Sequence, residues 1–203
     1  MLIYVPQTST RKTIAAMRAR GWRFLLSPKA GRNVRGLPYA IDNGAWTGFD
    51  PVGFAKLLAD RARNADWIVL PDIVGGGMAS LDLSLEWLSA VGEYGRPMLL
   101  AVQNGMQVDT IAALLKEHTS MGVFVGGDTE WKERTMFDWG RLCAGLNRIM
   151  HVGRVNSQRR LSLAWQAGAA SVDGSGIVKF PDEMIQRFDR GLDKHTRQGC
   201  LIL

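Results

Sequence analysis

The chain has few of the residues that staple small folds together. It contains two cysteines, Cys143 and Cys200, and three histidines, His118, His151 and His195, among 203 residues. The cysteines form no Cys-x-x-Cys pair and stand apart from the histidines, so neither a zinc site nor a disulfide scaffold is expected. The sequence calls for no metal and no cofactor. Long hydrophobic runs are missing as well: none approaches the ~18 residues that a membrane span requires. The stretch from Met1 to Lys12 carries no leader-peptide cleavage pattern. No membrane partner is expected, and the expected location is the cytoplasm. No repeat, low-complexity tract or linker interrupts the chain, so residues 1–203 are expected to form a single domain.

What is present describes a globular protein, with 46% hydrophobic and 22% charged residues. A chain of this length can bury roughly 70% of the surface its unfolded form exposes, enough for a core without staples. Twenty-five Lys and Arg against nineteen Asp and Glu leave a net charge of +6. Arginine carries most of the surplus, in segments 11–23, 32–35, 61–63, 154–160 and 187–197. Its planar fork suits phosphate, which makes nucleic acid the first partner to consider. The same arginines would equally serve as solvated helix faces.

Short apolar, β-rich runs bounded by Gly, Pro, Asn or Asp predict eight strands, over residues 2–6, 23–28, 39–44, 67–72, 97–103, 122–127, 148–153 and 170–174. Segments of helical period lie between most of them, at 10–20, 51–63, 80–93, 108–118, 130–145, 157–167 and 182–190. The stretch 29–38, rich in Gly and Arg, is too short for a helix and is expected to be a loop. Strands alternating with single helices give right-handed βαβ units and a parallel sheet, and eight of them can close. The expected fold class is α/β, a compact single-domain (β/α)8 TIM barrel, with an open doubly wound sheet as the rival.

In such a barrel the chemistry sits at the C-terminal ends of the strands. Those ends are polar here: Asp42-Asn43-Gly44 after strand three, Asp72 after strand four, Gln103-Asn104-Gly105 after strand five, Gly126-Gly127-Asp128 after strand six, Arg154 after strand seven and Asp173-Gly174 after strand eight. Asp and Asn before Gly are also turn formers and helix caps, and Asp128, preceding a helix, reads as a cap. Asp42 and Asp173 each follow an apolar run directly. Two carboxylates on one cavity can share nucleophilic and acid–base roles at a glycosidic bond. Gly75-Gly76-Gly77 lacks the Lys-Ser/Thr of a P-loop and reads as a hinge or close-packed loop. Gly174 and Gly176, flanking Ser175, lie where barrels often place a phosphate.

The ordered series Asp42-Asn43-Gly44-Ala45-Trp46, Leu70-Pro71-Asp72, Val102-Gln103-Asn104-Gly105, Val125-Gly126-Gly127, His151-Val152-Gly153-Arg154 and Gly168-Ala169-Ala170-Ser171-Val172-Asp173 resembles the queuine/archaeosine tRNA-guanine transglycosylase superfamily. It looks closest to the reduced branch of deazaguanine DNA transglycosylases. The resemblance implies a zinc-independent enzyme that removes or exchanges a base in DNA. On that reading Asp173 is the nucleophile and Asp42 the general acid/base. Asp72, Gln103, Asn43, Trp46, Gly126 and Gly127 would bind the base, and Arg154, Arg159 and Arg160 the nucleic-acid backbone. The absence of the family's Cys-x-Cys-x-x-Cys zinc motif favours DNA over tRNA as partner. Asp128-Thr129-Glu130 replaces the family's Gly-Glu, which leaves the base open. Two other readings use the same residues: a small barrel enzyme acting on a free nucleotide or sugar phosphate, and a non-catalytic nucleic-acid-binding barrel. The C-terminal Cys200-Leu201-Ile202-Leu203 has the form of a prenylation signal but reads as an apolar end docking on the barrel.

Overall fold

The computed structural model describes residues 1–29 and 33–199. Arg32 of the basic segment 32–35 and the prenylation-like tail at 200–203 lie outside them. Eight parallel strands close into a barrel in sequence order: β1 (Leu2–Pro6), β2 (Arg23–Leu26), β3 (Tyr39–Ile41), β4 (Ile68–Val69), β5 (Met98–Val102), β6 (Met121–Val125), β7 (Met150–Val152) and β8 (Ser171–Asp173). Closure is made by β1 against β8, with Tyr4 beside Asp173. The helices are α1 (Arg11–Arg20), α2 (Pro51–Arg61), α3 (Gly77–Gly92), α4 (Val108–Glu117), α5 (Thr129–Leu146), α6 (Gln158–Gln166), a single turn α7 (Gly176–Lys179) and α8 (Pro181–Gly199).

This is the single-domain (β/α)8 barrel that the alternation predicts. Seven of the eight strands fall inside their expected runs and β6 begins one residue before its own, at Met121, but several stop short. Residues 42–44 and 70–72, for example, leave the sheet and turn across the mouth, where their side chains and amides bond to one another. Helix α3 starts at Gly77 rather than Ser80, and α8 runs to Gly199 rather than Arg190.

The alternation of each strand sorts its side chains into two cores. Outward residues such as Val5, Phe24, Leu26, Ile41, Leu100, Val123 and Val172 pack under the helices. Inward residues form a separate cluster of Tyr4, Leu25, Ala40, Trp67, Val69, Leu99 and Ala101, with Phe124 against it. Side-chain caps start three of the helices, each stabilising by about 1 kcal/mol. Asp50 accepts from Gly53 N on α2, Asp128 from Trp131 N on α5, and Ser157 from Arg160 N on α6. The filled interior makes a packed plug, not a pore. At its N-terminal end Asp66 takes the Tyr4 hydroxyl at 3.0 Å and the Arg23 guanidinium at 2.9 Å. No described helix is long and apolar enough to cross a membrane.

Candidate active site

The C-terminal mouth opens into a cavity of about 400 Å³ lined by Asp42, Asp72 and Asp173 together with Lys132, Arg154 and Lys179. On the β3–β5 side the polar residues are tied to each other. Asn43 donates to Leu70 O at 2.7 Å and to Asp72 Oδ1 at 2.6 Å, while its own oxygen accepts from Ala45 N. Gln103 donates to Asp72 Oδ2 at 2.5 Å and accepts from Gly75 N and Gly127 N. Both Asp72 oxygens are therefore engaged, Asn43 uses both of its amide N–H groups, and Gln103 uses one. Gly126 is required here: a Cβ on it would lie 2.5 Å from Gln103 Nε2. Burial pushes Asp72 up to about 6, against the opposing effect of the two amide donors.

Asp42 sits beside this clamp in a different state. One oxygen accepts from Gly44 N at 2.6 Å, an Asx turn that leaves the other oxygen without a partner among the described residues. Burial first, then the neighbouring Asp173 and Asp72 charges, push it up to about 7. It is thus a carboxyl that changes protonation near neutral pH.

Asp173 ends β8 with both oxygens held. Arg154 N donates to Oδ1 at 3.1 Å, and His151 Nε2 lies 3.0 Å from Oδ2. Burial lowers the pKa of His151, which favours the neutral ring. Facing an acceptor carboxylate, Nε2 then carries the proton and Nδ1 accepts from Ser171 Oγ at 2.8 Å. The imidazole is fixed by stacking on Phe124 and by tilted contact with Trp67, so the Ser171–His151–Asp173 chain is rigid. Arg154 reaches its position through a left-handed backbone, φ 58°, unusual for a side chain of this size. That turn aims its N–H at Asp173. Gly153 just before it permits the approach, since a Cβ there would lie 2.6 Å from the Phe124 ring.

The Arg154 guanidinium lies over the Trp46 ring, 3.6 Å from its centre. Trp46 is 63% exposed at the rim, so the pair forms a platform at the entrance. Arg159 and Arg160 are differently placed. Arg159 pairs with Glu133, and Arg160 lies 3.8 Å from the same carboxylate while donating to Arg154 O. Gly126 and Gly127 shape the wall between β6 and α5. Asp128, held below the usual carboxylate range by the Trp131 amide and Asn104, caps α5.

Two residues of this site were given no role in the sequence. His151 stands in the series His151-Val152-Gly153-Arg154 at the end of strand seven, and only the strand's alternation, which points it inward beside Asp173, could have marked its part. Lys132 lies inside a helix, where nothing local distinguishes it from a surface lysine. Among the described residues no group of three or more His, Cys, Asp or Glu side chains is placed to hold a metal ion.

No family model matches the chain, and no curated protein matches it. Solved structures do. The chain is similar to 3-hexulose-6-phosphate synthase from Salmonella typhimurium, with 14% identity, a TM-score of 0.57, and coverage of 96% of this chain and 100% of that one. A native KDPGal structure matches at 11% identity and TM-score 0.60, over 97% and 96% of the two chains. The HpcH/HpaI aldolase from Desulfitobacterium hafniense DCB-2 matches at 10% identity and TM-score 0.52, over 98% and 90%. At these identities the likeness shows the fold alone, a (β/α)8 TIM barrel.

These findings correct the transglycosylase resemblance. The barrels that match are a sugar-phosphate synthase and aldolase-type proteins, not tRNA-guanine transglycosylases. The DNA-modifying base glycosylase or transglycosylase activity expected from that resemblance falls with it. The physical reason lies in its pieces: Asp-Asn-Gly, Gly-Gly and Val-Asp-Gly are short turns that a compact barrel needs at its strand ends whatever it binds.

Proposed function

We propose that the chain is an enzyme that transfers a proton on a small phosphorylated, sugar-like substrate held in the mouth. The observation that carries this reading is the split of charge around one cavity. Asp42, with an oxygen open to the cavity, and Asp173, oriented by His151 and Arg154 N, lie on the carboxylate side. Arg154 and Lys179 line the rim that follows β7 and β8. A polyol or carbonyl end suits the carboxylates, and a phosphate suits the cations, at the edge where barrels commonly hold one. The volume is that of a small-molecule site.

In this reading Asp173 takes a proton from the substrate and Asp42 gives one to a developing oxyanion, a role for which a carboxyl titrating near 7 is suited. Asp72, Asn43 and Gln103 are the rigid wall that keeps Asp42 in place. His151 is a positioning residue for Asp173. The hexulose-phosphate synthase and aldolase similarities support a substrate of this class. Titration calorimetry with paired phosphorylated and unphosphorylated sugars tests it. Binding that requires the phosphate and weakens at least tenfold in Arg154→Gln supports the reading, whereas equal affinity for both members of every pair would reject it.

A further inference from the structure

Lys132 is the buried charged group for which the proton-transfer scheme has no use. It stands in the first turn of α5, yet its side chain reaches into the mouth, where it is 3% exposed. Its only described hydrogen-bond partner is the carbonyl of Gly153, at 2.5 Å, and no described carboxylate lies within ion-pair distance. A buried ammonium with one backbone acceptor and no counter-ion is costly. Its position adds to the cost, because the N-terminal end of a helix carries positive partial charge and disfavours a cation. Arg154 and Arg160 repel it further. Burial foremost, opposed by the attraction of Asp173, pushes the amine down to about 8.

We propose that Lys132 is a catalytic nucleophile whose amine forms an imine with a carbonyl carbon of the substrate. This rests on the sugar-phosphate reading and narrows it to sugars that present an aldehyde or ketone. The nitrogen lone pair adds to the carbonyl carbon, and the carbonyl π pair moves to oxygen, which takes the proton of Asp42. The added nitrogen gives a proton to Asp173. Asp173 then returns that proton to the new hydroxyl, which leaves as water as the nitrogen lone pair closes the carbon–nitrogen double bond, and the remaining N–H proton goes back to Asp42, so that amine and carbonyl yield imine and water with both carboxyls restored and no oxidant or metal. Gly153, whose carbonyl holds the amine, also precedes the Arg154 N–H that holds Asp173, so nucleophile and base are registered by one turn.

The test incubates the full chain with dihydroxyacetone phosphate or glyceraldehyde 3-phosphate in the presence of sodium borohydride, followed by intact mass and peptide mapping. The expected product is a single adduct of the ligand's mass less one oxygen, on the peptide containing Lys132. It should form at least tenfold faster there than at any other lysine and be absent with glucitol 6-phosphate, which has no carbonyl. Labelling spread evenly over surface lysines, or none despite binding, would overturn the proposal. Lys132→Arg gives a second readout, because arginine keeps the charge but forms no imine: turnover within threefold of the wild type would also overturn it. Sugar phosphates that bind and turn over without an adduct would sink the imine alone. If none bound at all, the function proposed above would fall with it.

Discussion

At the N-terminal end of the barrel Asp66 is held by the Tyr4 hydroxyl and the Arg23 guanidinium, a carboxylate matched to a cation. At the C-terminal end Asp42 has one backbone donor and two carboxylate neighbours, while Lys132 has one carbonyl and no counter-ion. Both ends bury charge in the same narrow cylinder. One arrangement lowers the energy of the fold, and the other leaves groups near the point of losing or gaining a proton. The left-handed Arg154 lies at the mouth, while Asn147, left-handed as well, ends α5 at the opposite end. Carboxylates and an amine buried without opposite charges beside them, gathered at one end of a barrel, are where function is expected.

Matched substitutions at the two ends give the widest contrast. Asp173→Asn should lower turnover by about 10³-fold, the scale of a lost general base, with little change in melting temperature. Asp66→Asn should do the reverse, leaving turnover within threefold while lowering unfolding stability by roughly 2 kcal/mol, as expected for a hydrogen bond to a charged partner. If Asp66→Asn also abolished turnover, the two ends would not be separable.

Asp42 connects function to stability. Its folded pKa, about 7, is raised above the unfolded value, so its contribution to stability is full below pH ~4 and is lost as pH rises through 7. Asp42→Asn removes that titration. The variant should be more stable than the wild type by roughly 2–4 kcal/mol at pH 8, with no gain at pH 3, as read by urea unfolding at both values. Turnover should fall about 10²-fold. In the wild type, turnover should decline above pH 7 as the acid is lost.

Smaller effects sharpen the contrast within the mouth. His151→Phe keeps the stacking on Phe124 but removes the bond to Asp173, and should cost about tenfold in turnover, or 1.4 kcal/mol, with KM unchanged. Arg154→Gly relieves the left-handed backbone and should raise stability by up to about 1 kcal/mol while weakening binding of the phosphorylated substrate.

The barrel was legible because its strands and helices are local patterns, and period-2 alternation even separates the two cores. The mouth was legible in part: Asp42, Asp72, Gln103 and Asp173 were found because strand ends are where a barrel places polar groups. What those groups do was not. Asp72 and Gln103 look alike in a sequence whether or not they hydrogen-bond to each other, as they do here in the cavity wall. The arginines at 159 and 160 read equally as phosphate contacts or a solvated helix face, and no local pattern shows that Glu133, 26 residues from Arg159, pairs with them. Lys132 acquires its character only from burial, and burial is a property of the folded chain. The transglycosylase resemblance failed for a related reason, since it was assembled from turn motifs that the fold itself demands.

The account's central claim is that the unmatched carboxylates of the mouth move a proton on a small sugar phosphate. Proton NMR in deuterated water, following a panel of aldose and ketose phosphates with the wild type and with Asp173→Asn, tests this most directly. The account predicts deuterium incorporation next to the carbonyl, or conversion, of at least one sugar phosphate by the wild type, and a rate about 10³-fold lower in the variant. Every sugar phosphate left unchanged by the wild type, or exchanged equally fast by the variant, would contradict it.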